Sequence, residues 1–310
     1  MMRVTLSVVA KTLFNADVDE EADEIGASLT ELIHIFPLLL APYGEHLLRL
    51  PFPRMRRFRA ALDRLDRTIF SIIEERRKSG RDEGDLLSML LLAQDEEEGG
   101  GMSDRQVRDE AMTLFLAGHE TTANALSWTW YALSQNPDVE REMHEELDRV
   151  LAGRMPTPAD YPRLPFTEMV LAESMRMFPP AWWMGRLAME DVQLGGWTVP
   201  KGAVVIVAPG VTQMDERWWP EPQRFDPRRF TAEGKASRPR MAYFPFGAGT
   251  RICIGESFAW MEGVLMLATL AQRWRVEITE TPRPQASITL RPRGMRGKTW
   301  RRVSTRPRTG

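Results

Sequence analysis

The spacing of apolar and polar residues divides the chain into two regimes. From Arg54 to Lys78 the apolar positions Phe58, Leu62, Leu65, Ile69 and Ile72 recur at helical spacing, predicting a basic amphipathic helix that Gly80 and Gly84 punctuate. Asp95 to Gly101 reads as an acidic, solvated connection. A longer helical pattern follows, through Val107, Ala111, Leu114, Gly118, Ala125 and Trp128, and runs about thirty residues until Asn136-Pro137 stops it. Ser103 with Gln106 forms a capping box at its start. Asn136 is expected to cap the next helix, with Pro137 in its first position and Gly153 at its end. Pro165 opens a further helix that Pro179-Pro180 closes. Gln193 to Thr198, around Gly195-Gly196, reads as a hairpin, and Val204 to Val207 as a buried strand. A last apolar helix follows Cys253, through Phe258, Leu265 and Leu270.

Proline reinforces that division. Fourteen of the 22 prolines lie between Pro137 and Pro245 and none in residues 54–136, so helix dominates first and short elements later. With 43% hydrophobic and 27% charged residues, the 310-residue chain buries an ordinary globular core, which excludes disorder, a collagen repeat and a disulfide scaffold. Forty-one Lys and Arg against 43 Asp and Glu leave −2, no reason to expect nucleic acid as the partner. Leu32 to Tyr43 is too short, and too interrupted by His34 and two prolines, to span a bilayer. Lys11 breaks the apolar run a signal peptide needs. A lone cysteine fits a reducing cytoplasm. Residues 291–310 hold eight Arg or Lys and no acid. They read as a solvated tail rather than a dock for an acidic partner or nucleic acid.

Most catalytic motifs fail. His119-Glu120 and His144-Glu145 lack the second histidine of a helical zinc site, since Ala123 and Asp148 stand there. The string from Gly247 ends in Ile252 where a dinucleotide fingerprint needs glycine, and no glycine run leads to a phosphate-loop lysine. What remains is Phe244 to Gly255, FPFGAGTRICIG. Gly247, Gly249 and Gly255 let backbone approach something flat and bulky around Cys253. A helix beginning just after it favours a thiolate, and Arg251 adds a cation. A negative sulfur amid backbone donors, with an arginine for an acidic group, suits thiolate-ligated haem.

Phe246, Gly249, Arg251, Cys253 and Gly255 together resemble the haem-binding signature of the cytochrome P450 family. The resemblance extends along essentially the whole chain. It implies a mainly α fold with a small β region and haem b as cofactor, with Cys253 as the axial ligand of the iron. AGHETTA, Ala117 to Ala123, is similar to the family's acid-alcohol pair on the helix crossing the distal haem face. By that resemblance Thr121 hydrogen-bonds dioxygen, Glu120 helps deliver protons, and Ala117 and Gly118 border the cofactor. Gly118 leaves room for oxygen and is expected to let the helix widen. Read without the resemblance, Thr121 is a back-bonded hydroxyl and Glu120 a buried partner of some arginine. Glu173 and Arg176, with Arg229 of Pro227-Arg-Arg-Phe230, resemble the family's buried structural triad. Arg186, like Arg251, matches a haem-propionate contact. Trp182, Trp183 and Met184 fall in the segment that borders the substrate pocket.

The resemblance implies a monooxygenase that inserts one atom of dioxygen into an apolar small molecule. Its electrons come from a separate ferredoxin or flavoprotein, and no membrane segment is expected from the apolar pattern. The intact Glu120-Thr121 pair disfavours a peroxygenase or dehydratase on the same scaffold. One domain is expected. It has a helical part at 1–180, a β and loop part at 181–245, the haem-thiolate loop and last helix at 246–275, and a β segment with basic tail at 276–310. Where many relatives carry His-Arg or His-Asn before Asp215, this chain has Gln213-Met214, with little consequence expected. MMRVTLSVVAKTLF reads as an internal helix, so a fold lacking the family's N-terminal block is expected. The alternative expectation is a non-catalytic or misassigned fragment that holds haem weakly or not at all.

Overall fold

The computed structural model describes residues 1–16, 22–39, 46, 50–93 and 100–302. Most of the expected acidic connection and the end of the basic tail lie outside these. The chain falls into two compact units, residues 1–123 and 124–310.

The first unit is helical. It contains α1 (Met2–Phe14), α2 (Ala22–Leu39), α3 (Pro53–Ser79), α4 (Leu86–Leu92) and the first part of α5 (Asp104–Gln135). Leu6, Val9 and Phe14 of α1 are buried in one cluster with Leu65, Ile69 and Ile73 of α3, Leu87 of α4, and Val107, Ala111 and Phe115 of α5. The buried stripe of α3 is Met55, Ala61, Leu65, Ile69 and Ile73, so Phe58, Leu62 and Ile72 lie at its half-buried margin rather than at its centre. A helical stripe drifts by a fraction of a residue per turn, which sequence spacing alone does not fix. Gly80 ends α3 in the left-handed conformation (φ 60°). Arg76 Nη1 and Nη2 grip Asp85 at 2.6 and 2.7 Å, and Asp85 in turn caps α4 by accepting from Ser88 N. The α5 box forms as the sequence implies: Ser103 N donates to Gln106 Oε1 (2.9 Å) and Gln106 N to Ser103 Oγ (3.3 Å).

The second unit carries the remainder of α5, then α6 (Pro137–Leu151), α7 (Pro165–Met177) and α8 (Glu256–Ala271). Among the described residues, four two-stranded antiparallel ribbons complete it. They pair β1 (Met184–Leu187) with β4 (Val204–Val207), and β2 (Val192–Leu194) with β3 (Trp197–Val199). They also pair β5 (Trp274–Glu280) with β8 (Arg296–Arg301), and β6 (Arg283–Ala286) with β7 (Leu290–Arg293). The α7 and α8 helices approach so closely that a Cβ on Gly263 would lie 2.6 Å from Leu171 Cδ2.

Three local expectations change. Asn136 takes the N-cap position of α6, but its side chain makes no capping bond there; its Nδ2 donates back to Ala132 O (2.8 Å), an orphan carbonyl at the end of α5. The left-handed residue ending α6 is Ala152 (φ 51°), with Gly153 following it. Val204, Ile206 and Val207 are exposed rather than buried, because among the described residues β4 pairs with β1 alone and a two-stranded ribbon leaves its faces open. The hairpin forms as read: Gly195 and Gly196, at φ 55° and 87°, make the tight turn between β2 and β3. No helix among the described residues is long and apolar enough to cross a membrane.

Candidate functional site

The segment from Phe244 to Gly255 is a looped strap tied at both ends. Phe244 O accepts from Gly247 N (3.0 Å) and Phe246 O from Cys253 N (2.9 Å), which closes the strap on itself. Two of its glycines are needed for conformation: Gly247 and Gly249 hold φ 76° and 73°, where a side chain is strained. At Gly247 a Cβ would also meet Met184 Sδ at 3.3 Å, so Met184 lies against the strap. Cys253 is exposed, and its Sγ lies 3.8 Å from where a Gly255 Cβ would project. Gly255 is the N-cap of α8. The thiol is therefore presented at a helix start, on a glycine-lined rim with open space at Gly249. Ile254 is 89% exposed beside it, and Phe246 packs on Trp260 with ring centroids 5.7 Å apart. Arg251 is exposed on the 3-10 turn Gly249–Arg251.

Glu173, Arg176 and Arg229 come together in one buried cluster. Arg176 Nε and Nη2 donate to the two Glu173 oxygens at 2.7 and 2.9 Å, with both side chains fully buried. Arg229 Nε lies 3.4 Å from Glu173 Oε1, which also accepts from Asp226 N (2.9 Å). Burial raises the Glu173 carboxyl above its ordinary pKa, against the pull of Arg176.

Trp182, Trp183 and Met184 are half-buried. Trp182 Nε1 donates to Ser287 O (2.9 Å), which holds the turn between β6 and β7. Arg186 is exposed on β1, its Nη1 donating to Gly185 O.

Ala117, Gly118, Glu120 and Thr121 lie on α5 in the first unit. Glu120 is buried, while Thr121 Oγ1 donates back to Ala117 O at 2.6 Å, the local bond open to any helical threonine. Gly118 does not widen the helix, which stays α-helical through this stretch. A Cβ there would lie 3.1 Å from Val9 Cγ2, so the glycine admits α1. His119 is buried, and its carbonyl accepts from Thr5 Oγ1 (3.0 Å).

Several contributors lie outside the site residues expected from the sequence. Trp219, fully buried, donates to Ala242 O and has Arg238 4.1 Å and Arg176 5.1 Å from its ring centre. Tyr243 donates to Ala172 O (3.1 Å), and burial pushes its phenol well above the ordinary value. Gln213 is wholly buried and bonds both to α7 and to Phe244. Trp219 and Tyr243 are aromatic residues that only burial distinguishes from their neighbours, whereas Gln213, a departure from the family pattern expected to matter little, ties α7 to Phe244.

The residues present fit a haem. Among the described residues no cluster of His, Cys, Asp or Glu could hold a metal by itself. A single exposed thiol on a glycine rim flanked by apolar side chains suits a flat group that already carries its metal.

The family model for Cytochrome P450 matches residues 1–296. Cyclooctatin synthase of Streptomyces melanosporofaciens is 42% identical over 305 residues, covering 94% of this chain and 65% of that protein. Cyclooctat-9-en-7-ol 5-monooxygenase of the same organism is 38% identical over 278 residues, covering 89% and 60%. The crystal structure of the cytochrome P450DA haem domain superposes with a TM-score of 0.86 at 28% identity, covering 97% of this chain and 67% of that one. The chain thus spans just under two thirds of these two curated relatives.

Proposed function

The chain belongs to the cytochrome P450 family, and from that premise we propose that it holds haem b through the Cys253 thiolate and serves oxygen insertion into an apolar small molecule. The carrying observation is the exposed Cys253 thiol on its glycine rim at the start of α8. Bound there, the haem would supply dioxygen activation, to which a thiolate ligand contributes electron density.

The chain's own residues do the rest. The Cys253 N–H bond to Phe246 O fixes the turn from which the sulfur projects. The α8 start favours its negative charge. Arg251 and Arg186, both exposed cations, are the proposed partners of the haem's acidic groups. Thr121 offers a hydroxyl, released from Ala117 O, to dioxygen, and the buried Glu120 carboxyl passes protons toward it. The Glu173, Arg176 and Arg229 cluster holds the root of the strap. Trp182, Trp183 and Met184 border an apolar substrate. Electrons come from a separate ferredoxin or flavoprotein. The cytoplasm, which keeps the single thiol reduced, is the proposed compartment.

The test is the carbon monoxide spectrum of the reduced, haem-reconstituted chain. A strongly red-shifted Soret band, lost in Cys253→Ser, is expected. A red-shifted band that survives in Cys253→Ser overturns the ligand assignment, and its absence from the parent chain favours a fragment that does not hold haem productively.

A further inference from the structure

Gln213 spends every polar atom of its side chain on two segments distant in sequence. Its Nε2 donates to Met175 O (3.0 Å) and Arg176 O (3.2 Å), and its Oε1 accepts from Phe244 N (3.1 Å). Its own carbonyl accepts from Arg176 Nη1 (2.9 Å). The amide has one possible orientation, because the opposite one would set two acceptors against the α7 carbonyls and donors against an N–H. Met175 and Arg176 belong to the last turn of α7, where carbonyls lack partners within the helix. Ser174 O, in the same turn, is taken by Phe178 N. The side chain is fully buried, where a lost bond leaves groups that no water reaches.

Phe244 is where the strap begins. The residue pinned through its N–H by Gln213 offers its carbonyl to Gly247, and two residues on Phe246 holds Cys253 N. The far end of the strap is held separately by α8, where Gly255 O accepts from Ala259 N (2.8 Å). Trp219 on Ala242 O and Tyr243 on Ala172 O fix the two residues before Phe244, but neither reaches into the strap.

We infer that Gln213 is a positioning residue for the Cys253 thiolate, transmitting the rigid end of α7 to the strap through Phe244. This rests on the reading of Cys253 as a haem ligand only for its consequence; the mechanical coupling stands without haem. Loss of the coupling lets the strap open and shifts bound haem from thiolate toward neutral-thiol ligation.

The test is hydrogen exchange of the 310-residue chain, with haem spectra beside it. In Gln213→Met, which keeps length but offers no strong hydrogen bond, the Gly247 and Cys253 amides should exchange about tenfold faster, the size expected from losing a hydrogen bond. Amides in the middle of α8 should be unchanged. Gln213→His, with one donor and one acceptor, should fall between. In the haem-loaded forms the red-shifted share of the carbon monoxide spectrum should drop in the same order. Unaltered Gly247 and Cys253 exchange in a folded Gln213→Met overturns the inference, whatever the spectra show. A parent chain without the red-shifted band sinks the haem reading and leaves the exchange result to judge this one. Where Gln213→Met unfolds the unit, the unmutated chain decides. Its Phe244, Gly247 and Cys253 amides should then exchange as one group with a shared response to mild denaturant. Independent exchange overturns the coupling.

Discussion

Arg176 meets Glu173 edge-on, two parallel bonds of 2.7 and 2.9 Å between side chains that no solvent reaches. Of the other guanidinium donors, Nη1 meets Gln213 O (2.9 Å) and Met214 Sδ (3.3 Å) and Nη2 meets Pro222 O (2.7 Å), while Glu173 also takes Asp226 N. A surface pair three residues apart on a helix contributes a few tenths of a kcal/mol. Here the same spacing lies inside a core, so the charges depend on one another.

Arg176→Met is expected to cost about 3–5 kcal/mol, because Glu173 stays buried with less compensation. Glu173→Gln should cost a similar amount by stranding Arg176. The double variant Glu173→Gln/Arg176→Met should cost clearly less than the sum. Denaturant midpoints read all three, and additive losses would refute the coupling.

His144 gives the fold a pH-sensitive element. It is buried on α6 between Glu140 and Asp148, facing Arg275 of β5 and Arg302 just after β8, and its pKa is lowered to about 4, chiefly by burial and next by Arg302. As pH falls below about 6.5 the unfolded chain binds a proton that the folded chain refuses until about 4, so stability is lost across that window. The loss attributable to His144 is at most about 3 kcal/mol. Glu140, whose carboxyl burial raises, works in the opposite sense at the lower end. The comparison is therefore between parent and His144→Leu, measured by denaturant unfolding from pH 7 to 4. The variant should lose less on acidification. Parallel curves would remove His144 as the cause.

Gly263→Ala places a methyl carbon 2.6 Å from Leu171 Cδ2, in a position where Leu171 is itself packed. Overpacking of this kind costs about 1–3 kcal/mol. Trimming the partner in Gly263→Ala/Leu171→Ala should cost less than the two changes added together. Thermal or denaturant unfolding that shows no penalty for Gly263→Ala would mean α7 and α8 separate more readily than their contact implies.

Thr121→Ala removes a hydroxyl whose bond within this structure is the local one to Ala117 O. Stability should change by about 0.5 kcal/mol or less, as for a substitution outside the core. With haem and a reductant supplied, more reducing equivalents should end as peroxide and fewer as product. Product and peroxide per reductant consumed are the readout, and unchanged partition would refute the proton-guiding role.

Local rules made much of this chain legible. The α5 box, the proline at the start of α6, the helix from Pro165 and the Gly195-Gly196 hairpin each depend on residues within a few positions of one another. Propensity and turn chemistry act at that range, so the sequence carries them. The Cys253 segment was legible for another reason: its glycines and cysteine form one unbroken string, whose resemblance to the cytochrome P450 signature needs no tertiary information.

The sequence by itself determined the mainly α class, the long α5 helix, the family and the candidate thiolate. Tertiary structure alone decided which residues those elements lean on. Gln213 is legible in the sequence only as a departure of little expected consequence, and burial sets it between the end of α7 and Phe244. At Gly118 the fold sets Val9 of α1 3.1 Å from where a Cβ would lie, a contact that no spacing along the chain announces. Val204 to Val207 reads as core, and the fold leaves it on an open ribbon. Burial and long-range partners arise from where the chain returns on itself, and no spacing along the sequence encodes that return.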